Sequence, residues 1–567
     1  MMRQKYLFIV VWLIAGLLLS ACAPQAGAPA ADQSAAEAAA PAAGEAAAPA
    51  NETASDTTGG ILNFAYSQKP RNLNPLDSVQ GVQSQLFRMI YNRLLQYDLG
   101  FFGGPPQPSL AESYEVSDDG LTFTFHLRQD VVWQDGEPFT ADDVAFTYTA
   151  AVHPDNPTFW GPSLSTLKGL AAFQDGSADS IEGLNVVDEY TIEITLESPS
   201  MSFLDTLAFV GILPKHILGD VPAAELKDNE FFSKSPIGTG PFKVTEVAED
   251  QYIRLERNEN YFLGAPKLAG INFFFPDNTT VAAGFETGEI DLSSSVPVED
   301  LERFLDNPDY KVVFQPSSVF CNVTANVERI PKTVRHAIQF ALDRDTITSE
   351  LFLDQRLSTP FYHHLGQGFL QPNPYEKEIT YDPDQARALV QQAIDAGEWD
   401  ADHVLDYIFN GEEPSDEILF IQKFLQDVGL NSELRGVGDR AAFNQTYLEE
   451  HDFDIVSGCN AYGPEPDSVN IYYKCGYGAA EGGYNASLFC NERADELLEA
   501  GRATTNFDER VKIYQELQGI LDDEAAIIPI RLSVTSWVMT SRLQDATPQY
   551  YGHLTNYDGI EKWWLEE

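Results

Sequence analysis

Residues 110–148 read LAESYEVSDDGLTFTFHLRQDVVWQDGEPFTADDVAFTY. Within this stretch, Asp118-Asp119-Gly120 supplies turn chemistry between two short apolar segments, which predicts a β-hairpin. Apolar residues alternate through 121–127, so one face of the second strand is apolar. Thr140 is suited to cap a helix, and the carboxylate of Asp143 suits the first turn of that helix. The stretch therefore predicts mixed α/β structure.

Strands and helices alternate irregularly on either side of this stretch. Period-two patterns predict strands, and amphipathic patterns with caps predict helices. The predicted strands are 60–66, 190–197 and 271–275, and the predicted helices are 82–95, 333–343, 383–396, 417–428 and 508–522. No fixed-period repeat and no regular βαβ order is present, which favours an α/β body with several lobes.

The composition limits the function classes. The length of 567 residues suggests three or four folding units, and the 44% of hydrophobic residues permit a large core and exclude wholesale disorder. The 86 acidic residues outnumber the 35 Lys and Arg residues and give a net charge of −51. Because this charge repels phosphate backbones, we expect no nucleic-acid partner. It also argues against a basic patch that holds the chain on anionic lipid.

The N-terminal residues predict export. Arg3 and Lys5 precede an apolar run at 6–19 that is too short to span a membrane comfortably, as in a signal peptide over residues 1–21. The run ends in Leu19-Ser20-Ala21-Cys22, which resembles a bacterial lipobox. That resemblance implies cleavage before Cys22, a diacylglycerol on its sulfur, and an extracytoplasmic, membrane-anchored protein. An ordinary secretory signal and an uncleaved anchor are the alternatives.

The next segment, residues 22–58, is rich in Ala and Pro and has no aromatic or branched aliphatic residue. It cannot bury enough apolar surface to offset chain entropy, so we expect a disordered tether. Export also permits disulfides among the four remaining cysteines, which allow three pairings. Cys475 and Cys490 bracket a loop that a disulfide would close as a short ring, whereas free buried thiols are the alternative.

Catalytic motifs are absent. The chain has no H-E-x-x-H, G-x-S-x-G, G-x-x-x-x-G-K-[ST] or C-x-x-C motif. Ser165 and Lys168 match S-x-x-K by chance, since no S-D-N or K-T-G accompanies them. The pair His363-His364 indicates a surface loop, with a weak metal site as the alternative. We therefore expect no enzyme activity, no cofactor and no metal site.

Six stretches in order carry a family resemblance. Together they resemble the family 5 extracellular solute-binding proteins, the peptide- and nickel-type receptors of ABC importers. They are residues 110–148, 236–242 (PIGTGPF), 286–291 (ETGEID), 334–345 (VRHAIQFALDRD), 381–388 (YDPDQARA) and 495–529. The resemblance implies that a peptide or similar oligomer is bound and passed to permease and ATPase subunits by a monomeric receptor.

The family fold is a periplasmic-binding-protein-like, two-lobed α/β clamp with an extra third domain. Its expected parts are lobe one at 59–93, 204–312 and 531–567, the extra domain at 94–203, and lobe two at 313–530. Two crossing segments join the lobes, and closure over the solute is a hinge motion. Trp133 is expected in the core rather than at the ligand.

A solute enclosed between lobes needs partners for its polar ends. Peptide-binding relatives hold the ligand's ammonium with an Asp in a W-x-x-D-Y segment, which residues 457–467 resemble. Here Cys459 replaces the Trp and Tyr462 replaces the Asp, so recognition of a free amine by the usual carboxylate is in doubt. Glu465 and Asp467 are substitute candidates, with solvated loop acids as the alternative.

The other site candidates are aromatic. Tyr66, at the end of the first strand, is a candidate ligand contact. Tyr462, Tyr472 and Tyr473 offer faces for a sugar or a peptide side chain, or else pack against the lobe. A sugar, an opine-like solute or a metal chelate is therefore the alternative cargo.

The same resemblance implies a disulfide pairing. Some oligopeptide-binding relatives link a cysteine before the V-R-x-A-I helix to one beside the W-x-x-D segment, and Cys321 and Cys459 lie in similar positions. The expected disulfides are therefore Cys321–Cys459 and Cys475–Cys490.

Overall fold

The computed structural model describes residues 59–77, 82–97, 106–248, 250–352, 355–365, 373–375, 379–461, 466–551, 554–557 and 559–566. The predictions for the signal peptide, Cys22 and the tether concern residues that lie outside these ranges. The described residues form a mixed α/β body, as the sequence predicts.

Strands occur throughout the described residues. They are β1 (Ile61–Ala65), β2 (Leu95–Gln96), β3 (Gln107–Pro108), β4 (Ala111–Val116), β5 (Thr122–Leu127), β6 (Leu184–Asp188), β7 (Thr191–Thr195), β8 (Phe242–Ala248), β9 (Tyr252–Arg257), β10 (Gly270–Phe274), β11 (Leu292–Ser293), β12 (Tyr310–Ala325), β13 (Ser358–Pro360), β14 (Leu405–Asn410), β15 (Ser432–Val437), β16 (Ile455–Ala461), β17 (Ile527–Thr540), β18 (Leu543–Gln544), β19 (Gln549–Tyr551), β20 (Leu554–Asn556) and β21 (Trp564–Leu565).

Helices lie between the strands in irregular order. They are α1 (Val82–Ile90), α2 (Ala141–Val152), α3 (Leu170–Gln174), α4 (Phe203–Leu207), α5 (Lys215–Leu218), α6 (Ala223–Leu226), α7 (Phe231–Lys234), α8 (Asn278–Thr287), α9 (Lys332–Ala341), α10 (Arg344–Leu351), α11 (Pro383–Asp395), α12 (Asp416–Asp427), α13 (Arg440–Asn444), α14 (Asn470–Tyr473), α15 (Glu492–Ala503) and α16 (Phe507–Glu524). Single 3-10 turns include Gln355–Leu357 and Pro466–Val469.

One large mixed sheet organises the body. Its strand order is β15-β14-β16-β12-β17-β11-β1-β10-β9-β8, and β13 also pairs with β17. The long antiparallel strands β12 and β17 occupy the middle of this order. One end of this strand pair, at residues 310–316 and 534–540, is continuous with β11 and β1, and the other end continues into β16 and β14. Two long strands therefore connect the two halves of the sheet.

The pairing of these connecting strands is interrupted near their middle. The register passes from Pro316 opposite Val534 to Phe320 opposite Leu532, so three residues of β12 face one residue of β17. Such bulges leave backbone groups out of the ladder and increase the local twist. The two halves of the sheet therefore meet at an irregular point, not along a continuous ladder.

A second, four-stranded sheet has the order β4-β5-β7-β6. The alternation predicted from its sequence is observed, since Phe123 and Phe125 on β5 and Ile192 and Ile194 on β7 are fully buried. These side chains belong to one continuous apolar cluster that also includes Leu62 on β1. The region predicted as an extra domain thus shares its core with lobe one.

The capped helix and the tryptophan of residues 110–148 are confirmed. The Asp143 carboxylate accepts a hydrogen bond from the backbone N–H of Thr140 at 2.9 Å, and α2 begins at Ala141. Trp133 is buried, and its indole N–H donates to Asp143 at 3.3 Å. Burial raises the pKa of Asp143, although these hydrogen bonds favour its charged form.

The predicted helix 82–95 is too long. Helix α1 ends at Ile90, whose carbonyl accepts a hydrogen bond from the backbone N–H of Gly240 at 2.9 Å. A Cβ on Gly238 would lie 1.9 Å from the same carbonyl oxygen, so only glycine permits this approach. The PIGTGPF segment therefore ends the helix, and the chain continues into β2.

Packing in the second half of the sheet forms separate clusters. One surrounds α9, α11 and α12, and another surrounds α15 and α16. Leu357 is different, since it packs in a cluster with Phe285 and Val538. Residues near 357 therefore pack with the β1–β11 half, although the sequence-based division assigns them to lobe two.

Candidate functional site

Parallel strands in both halves of the sheet define where a ligand is expected. Strand β1 runs parallel to β10 and β11, and β14 runs parallel to β15 and β16. In open α/β sheets, ligands bind beyond the carboxyl ends of parallel strands. We call residues 66–73 the β1 loop and residues 466–473 the β16 segment, because they lie beyond those ends of β1 and β16.

Tyr66 begins the β1 loop. Its backbone N–H donates to the carbonyl of Phe274 at 3.0 Å, which extends the pairing of β1 with β10 by one residue. The side chain is half-buried against the apolar cluster of lobe one, and burial raises the pKa of its phenol. Part of the ring therefore remains exposed beside the carboxyl end of β1. Its role as a ligand contact stays a prediction.

Two candidates, Tyr462 and Glu465, lie outside the described residues. The last described residue before them is Ala461, at the end of β16. Its carbonyl accepts a hydrogen bond from the Tyr472 hydroxyl at 3.3 Å. The β16 segment thus holds the strand end from which Tyr462 follows.

Asp467 is buried and ion-paired. Its Oδ2 atom accepts hydrogen bonds from Arg502 Nε at 3.0 Å and Nη2 at 2.9 Å. The hydroxyl of Tyr514 lies 3.4 Å from the other carboxylate oxygen. The carboxylate is thus neutralised within the protein, which favours a structural role over contact with a ligand amine. The idea of a solvated loop acid is wrong for this residue.

Tyr472 and Tyr473 do not offer free aromatic faces. Tyr473 is fully buried, and Tyr472 is only 8% exposed. The Tyr473 hydroxyl hydrogen-bonds with His364 Nδ1, and burial raises the pKa of Tyr472 well above its usual value. Both residues therefore pack within the lobe. Tyr484, whose ring centroid lies 6.1 Å from that of Tyr472, is 49% exposed and was missed as a candidate.

Both disulfides implied by the resemblance are present. Cys321 on β12 and Cys459 on β16 are directly opposite in the antiparallel ladder and are bonded. Cys475 and Cys490 close a loop with a sequence separation of 15 residues. The two bonds lie before and after the β16 segment in sequence and fix the elements that flank it.

The histidine pair is not a surface loop, so that prediction is wrong for His364. Its side chain is fully buried, and burial together with the neighbouring His363 lowers the pKa of His364 to about 3. His363 Nδ1 lies 2.9 Å from Asp522 Oδ2 and His364 Nε2 lies 3.7 Å from Oδ1. The two histidines therefore connect the chain that follows β13 to α16 through Asp522.

A pocket beside the β1 loop escaped the sequence analysis. It has a volume of about 290 Å³ and lies between the β1 loop, α7 and the β8–β9 hairpin, with Phe275 after β10. Lys69 and Arg71 line it. The available signal was two cations within three residues, directly after the first strand, in a chain with a net charge of −51.

The described ranges contain no side-chain cluster suited to a metal ion and no helix suited to a membrane span. Within them, no group of three or more His, Cys, Asp or Glu side chains is arranged to hold a metal ion. In the same ranges, no helix combines the length and the apolar character that crossing a membrane requires.

Comparisons with known proteins agree with this fold. Residues 105–482 match the model of the bacterial extracellular solute-binding proteins, family 5 Middle. The oligopeptide-binding protein AppA of Bacillus subtilis is 26% identical over 524 residues, covering 89% of this chain and 92% of AppA. Heme-binding protein A of Haemophilus influenzae is 26% identical over 514 residues, covering 88% and 92%.

A solved structure agrees as well. The ABC transporter substrate-binding protein CtaP of Listeria monocytogenes is 26% identical and superposes with a TM-score of 0.75, covering 90% of this chain and 100% of CtaP. The expected fold class, a two-lobed α/β clamp with an additional domain, is confirmed by this likeness. The chain belongs to the family 5 bacterial extracellular solute-binding proteins.

Proposed function

We propose that this chain is the extracytoplasmic receptor of an ABC import system that captures peptides between its two lobes and delivers them to the permease. The observation that carries the proposal is the family match over residues 105–482. A relative that this chain covers almost completely is named an oligopeptide-binding protein. The proposed function of this chain is reversible binding coupled to lobe closure, so a bound peptide leaves the receptor chemically unchanged.

We propose the lobe division expected from the sequence. Lobe one is residues 59–93, 204–312 and 531–567, the extra domain is 94–203, and lobe two is 313–530, except that Leu357 packs with lobe one. The position of β12 and β17 between the two halves of the sheet supports it. The interrupted pairing near Pro316 and Val534 provides the hinge, because fewer ladder hydrogen bonds resist a change of backbone angles there.

We further propose lipid anchoring at Cys22 after removal of residues 1–21, with the receptor acting as a monomer. The lipobox-like LSAC sequence supports the anchor. The test replaces Cys22 with Ser in the full-length precursor, which is then expressed in bacteria. We expect detergent extraction to be needed for the parent protein and not for Cys22→Ser. Equal membrane retention of both would contradict the anchor, and sedimentation of the released form measures its oligomeric state.

A non-peptide cargo is the second candidate. Tyr462 stands where peptide-binding relatives carry the ammonium-binding Asp. A relative that matches this chain over 92% of its own length is named a heme-binding protein. An oligosaccharide, an opine-like solute or a metal chelate would need no carboxylate at this position.

A thermal-shift screen separates the two candidates. The ligands are di- to hexapeptides, cello- and xylo-oligosaccharides, an opine and nickel–histidine. A ligand at 100 times its dissociation constant stabilises the fold by about 2.7 kcal/mol. We expect peptides to raise the melting temperature, and a shift with sugars or chelates alone rejects the peptide proposal. Mass spectrometry of recovered peptide checks that no bond was cut.

Tyr462→Asp tests the origin of amine recognition. The variant restores the usual acid, so peptides with a free amine should bind more tightly than to the parent, while N-acetylated peptides should bind equally to both. Asp467→Asn is the matched acid variant. If Asp467→Asn abolishes the difference in affinity between free and acetylated peptides and Tyr462→Asp leaves it unchanged, then Asp467 and not position 462 binds the amine.

A further inference from the structure

The pocket beside the β1 loop is built from lobe one alone. Its walls are the β1 loop, α7, the β8–β9 hairpin and Phe275, all within the ranges proposed for that lobe. A site formed by one lobe exists whether the clamp is open or closed. It differs in this respect from a site that two lobes assemble by closing.

The walls of this pocket are largely apolar. Seven of its twelve lining residues have apolar side chains. Phe232, Leu73 and Ile253 are themselves buried in the lobe, so these parts of the wall are fixed by the surrounding core. At about 290 Å³ and roughly 30 Å³ per water molecule, the pocket has room for about ten non-hydrogen atoms of a ligand.

Charge at the rim is cationic. Lys69 forms an exposed ion pair with Asp250, which follows β8. Arg71 is exposed and forms no hydrogen bond or ion pair with the described part of the chain. Because no described carboxylate pairs with this arginine at the rim of an apolar pocket, it is available to an external anion. The described lining therefore carries one more cation than anion.

These features select a ligand by its chemistry. A guanidinium presents paired N–H donors that match both oxygens of a carboxylate. Apolar walls favour a hydrocarbon group beside that carboxylate, because its burial removes apolar surface from water. We propose that this pocket binds a carboxylate attached to an apolar group of up to about ten atoms, with Arg71 contacting the carboxylate.

Two sources supply this chemistry. One is the carboxyl-terminal residue of a peptide with an apolar side chain, and this version rests on the proposed peptide function. The other is a free organic acid, which requires no peptide binding. Both place the charged end at Arg71 and the hydrocarbon against the partly exposed Val247 and Phe275.

Isothermal titration calorimetry on the soluble mature chain distinguishes them. The probes are Ala-Ala-Phe, its carboxyl-terminal amide, and 3-phenylpropionate. The variant is Arg71→Gln, and the matched control is Lys512→Gln, which removes an exposed cation on α16 that has no partner among the described residues. We expect Arg71→Gln to weaken binding of a carboxylate probe at least about tenfold, and Lys512→Gln to leave it unchanged.

Each result has a defined meaning. Weakening of the tripeptide acid but not of its amide assigns the pocket to a peptide terminus, and weakening of 3-phenylpropionate alone assigns it to a free acid. If peptides bind but no carboxylate probe responds to Arg71→Gln, the pocket proposal is overturned and the peptide function stands. If no peptide binds while 3-phenylpropionate binding depends on Arg71, the peptide function fails and the pocket proposal stands.

Discussion

The β16 segment and the β1 loop are held in different ways. The β16 segment is flanked by two disulfides, and its acid, Asp467, is paired with Arg502. Within the described part of the chain no disulfide flanks the β1 loop, its Lys69 pairs with Asp250 on the exposed rim, and its Arg71 has no partner. Asp467 and Arg502 in and beside the β16 segment are used to maintain structure, whereas Arg71 in the β1 loop remains available to a solute. Charge near a binding cleft is therefore informative only after its internal partners are known.

The two proposed lobes also differ in how their apolar side chains are grouped. The regions proposed as lobe one and the extra domain share one large apolar cluster, with a smaller one around Phe285 and Val538, while the region proposed as lobe two contains three smaller clusters. The region proposed as the extra domain also contacts the one proposed as lobe two, since the Met201 backbone N–H donates to the Arg502 carbonyl at 2.9 Å. Arg502 thus links the extra domain to Asp467, immediately beyond the segment that contains Tyr462.

The largest predicted effect concerns the disulfide between β12 and β16. Replacing Cys321 and Cys459 together with Ser should lower the free energy of unfolding by about 5 kcal/mol, because the bond closes a loop with a separation of 138 residues. The matched variant replaces Cys475 and Cys490 with Ser. The bond it removes closes a loop with a separation of only 15 residues, so the free energy of unfolding should fall by about 3 kcal/mol. Urea unfolding without reductant measures both, and the reverse order would contradict the chain-entropy explanation.

The next effect concerns Asp467. Asp467→Ala leaves the Arg502 guanidinium without its carboxylate, and we expect a loss of about 3 kcal/mol. This is the low end for a broken buried pair, because the Arg502 side chain is 34% exposed. Urea unfolding of Asp467→Ala, Arg502→Ala and the double variant gives the coupling energy of the pair. Glu496→Gln, from an exposed pair on α15, is the control and should change stability little.

A smaller effect is the dependence of stability on pH through His364. Because its folded pKa is about 3, below the unfolded value near 6.5, the unfolded chain binds a proton that the folded chain does not. Stability from this group is therefore complete above pH 6.5 and falls by up to about 1.4 kcal/mol per pH unit below it. His364→Asn should flatten the profile between pH 7 and 5 by about 2 kcal/mol. The exposed His126→Asn is the control, and a slope unchanged in His364→Asn would reject the assignment.

Local signals in the sequence predicted the elements well and their ends less well. The cap at Thr140 and the Asp382-Pro383 start of α11 are formed by neighbouring residues, so the sequence contains the whole signal. The end of α1 depends instead on Gly240, which is 150 positions away from Ile90. The local apolar pattern therefore predicts a helix that continues to residue 95, past its observed end at Ile90.

The candidate site was harder to predict for the same reason. His364 is buried by Asp522 and Tyr473, which are distant in sequence, so its sequence context indicated a loop. The pocket at Arg71 needs four separate segments to come together. The pairing of Cys321 with Cys459 came from the family resemblance, since four cysteines alone leave three possibilities.

The smallest predicted effect tests the charge at the β1 loop directly. Asp250 is the anion among the described lining residues and pairs with Lys69 on the exposed rim. Asp250→Asn frees Lys69 and removes a repulsive charge, so 3-phenylpropionate should bind about two- to threefold more tightly than to the parent, and the gain should shrink at high salt. Titrations at low and high ionic strength measure this. Because the change is opposite in sign to that of Arg71→Gln, an affinity lowered by both substitutions would point to disturbed pocket structure instead of charge and would contradict the electrostatic explanation.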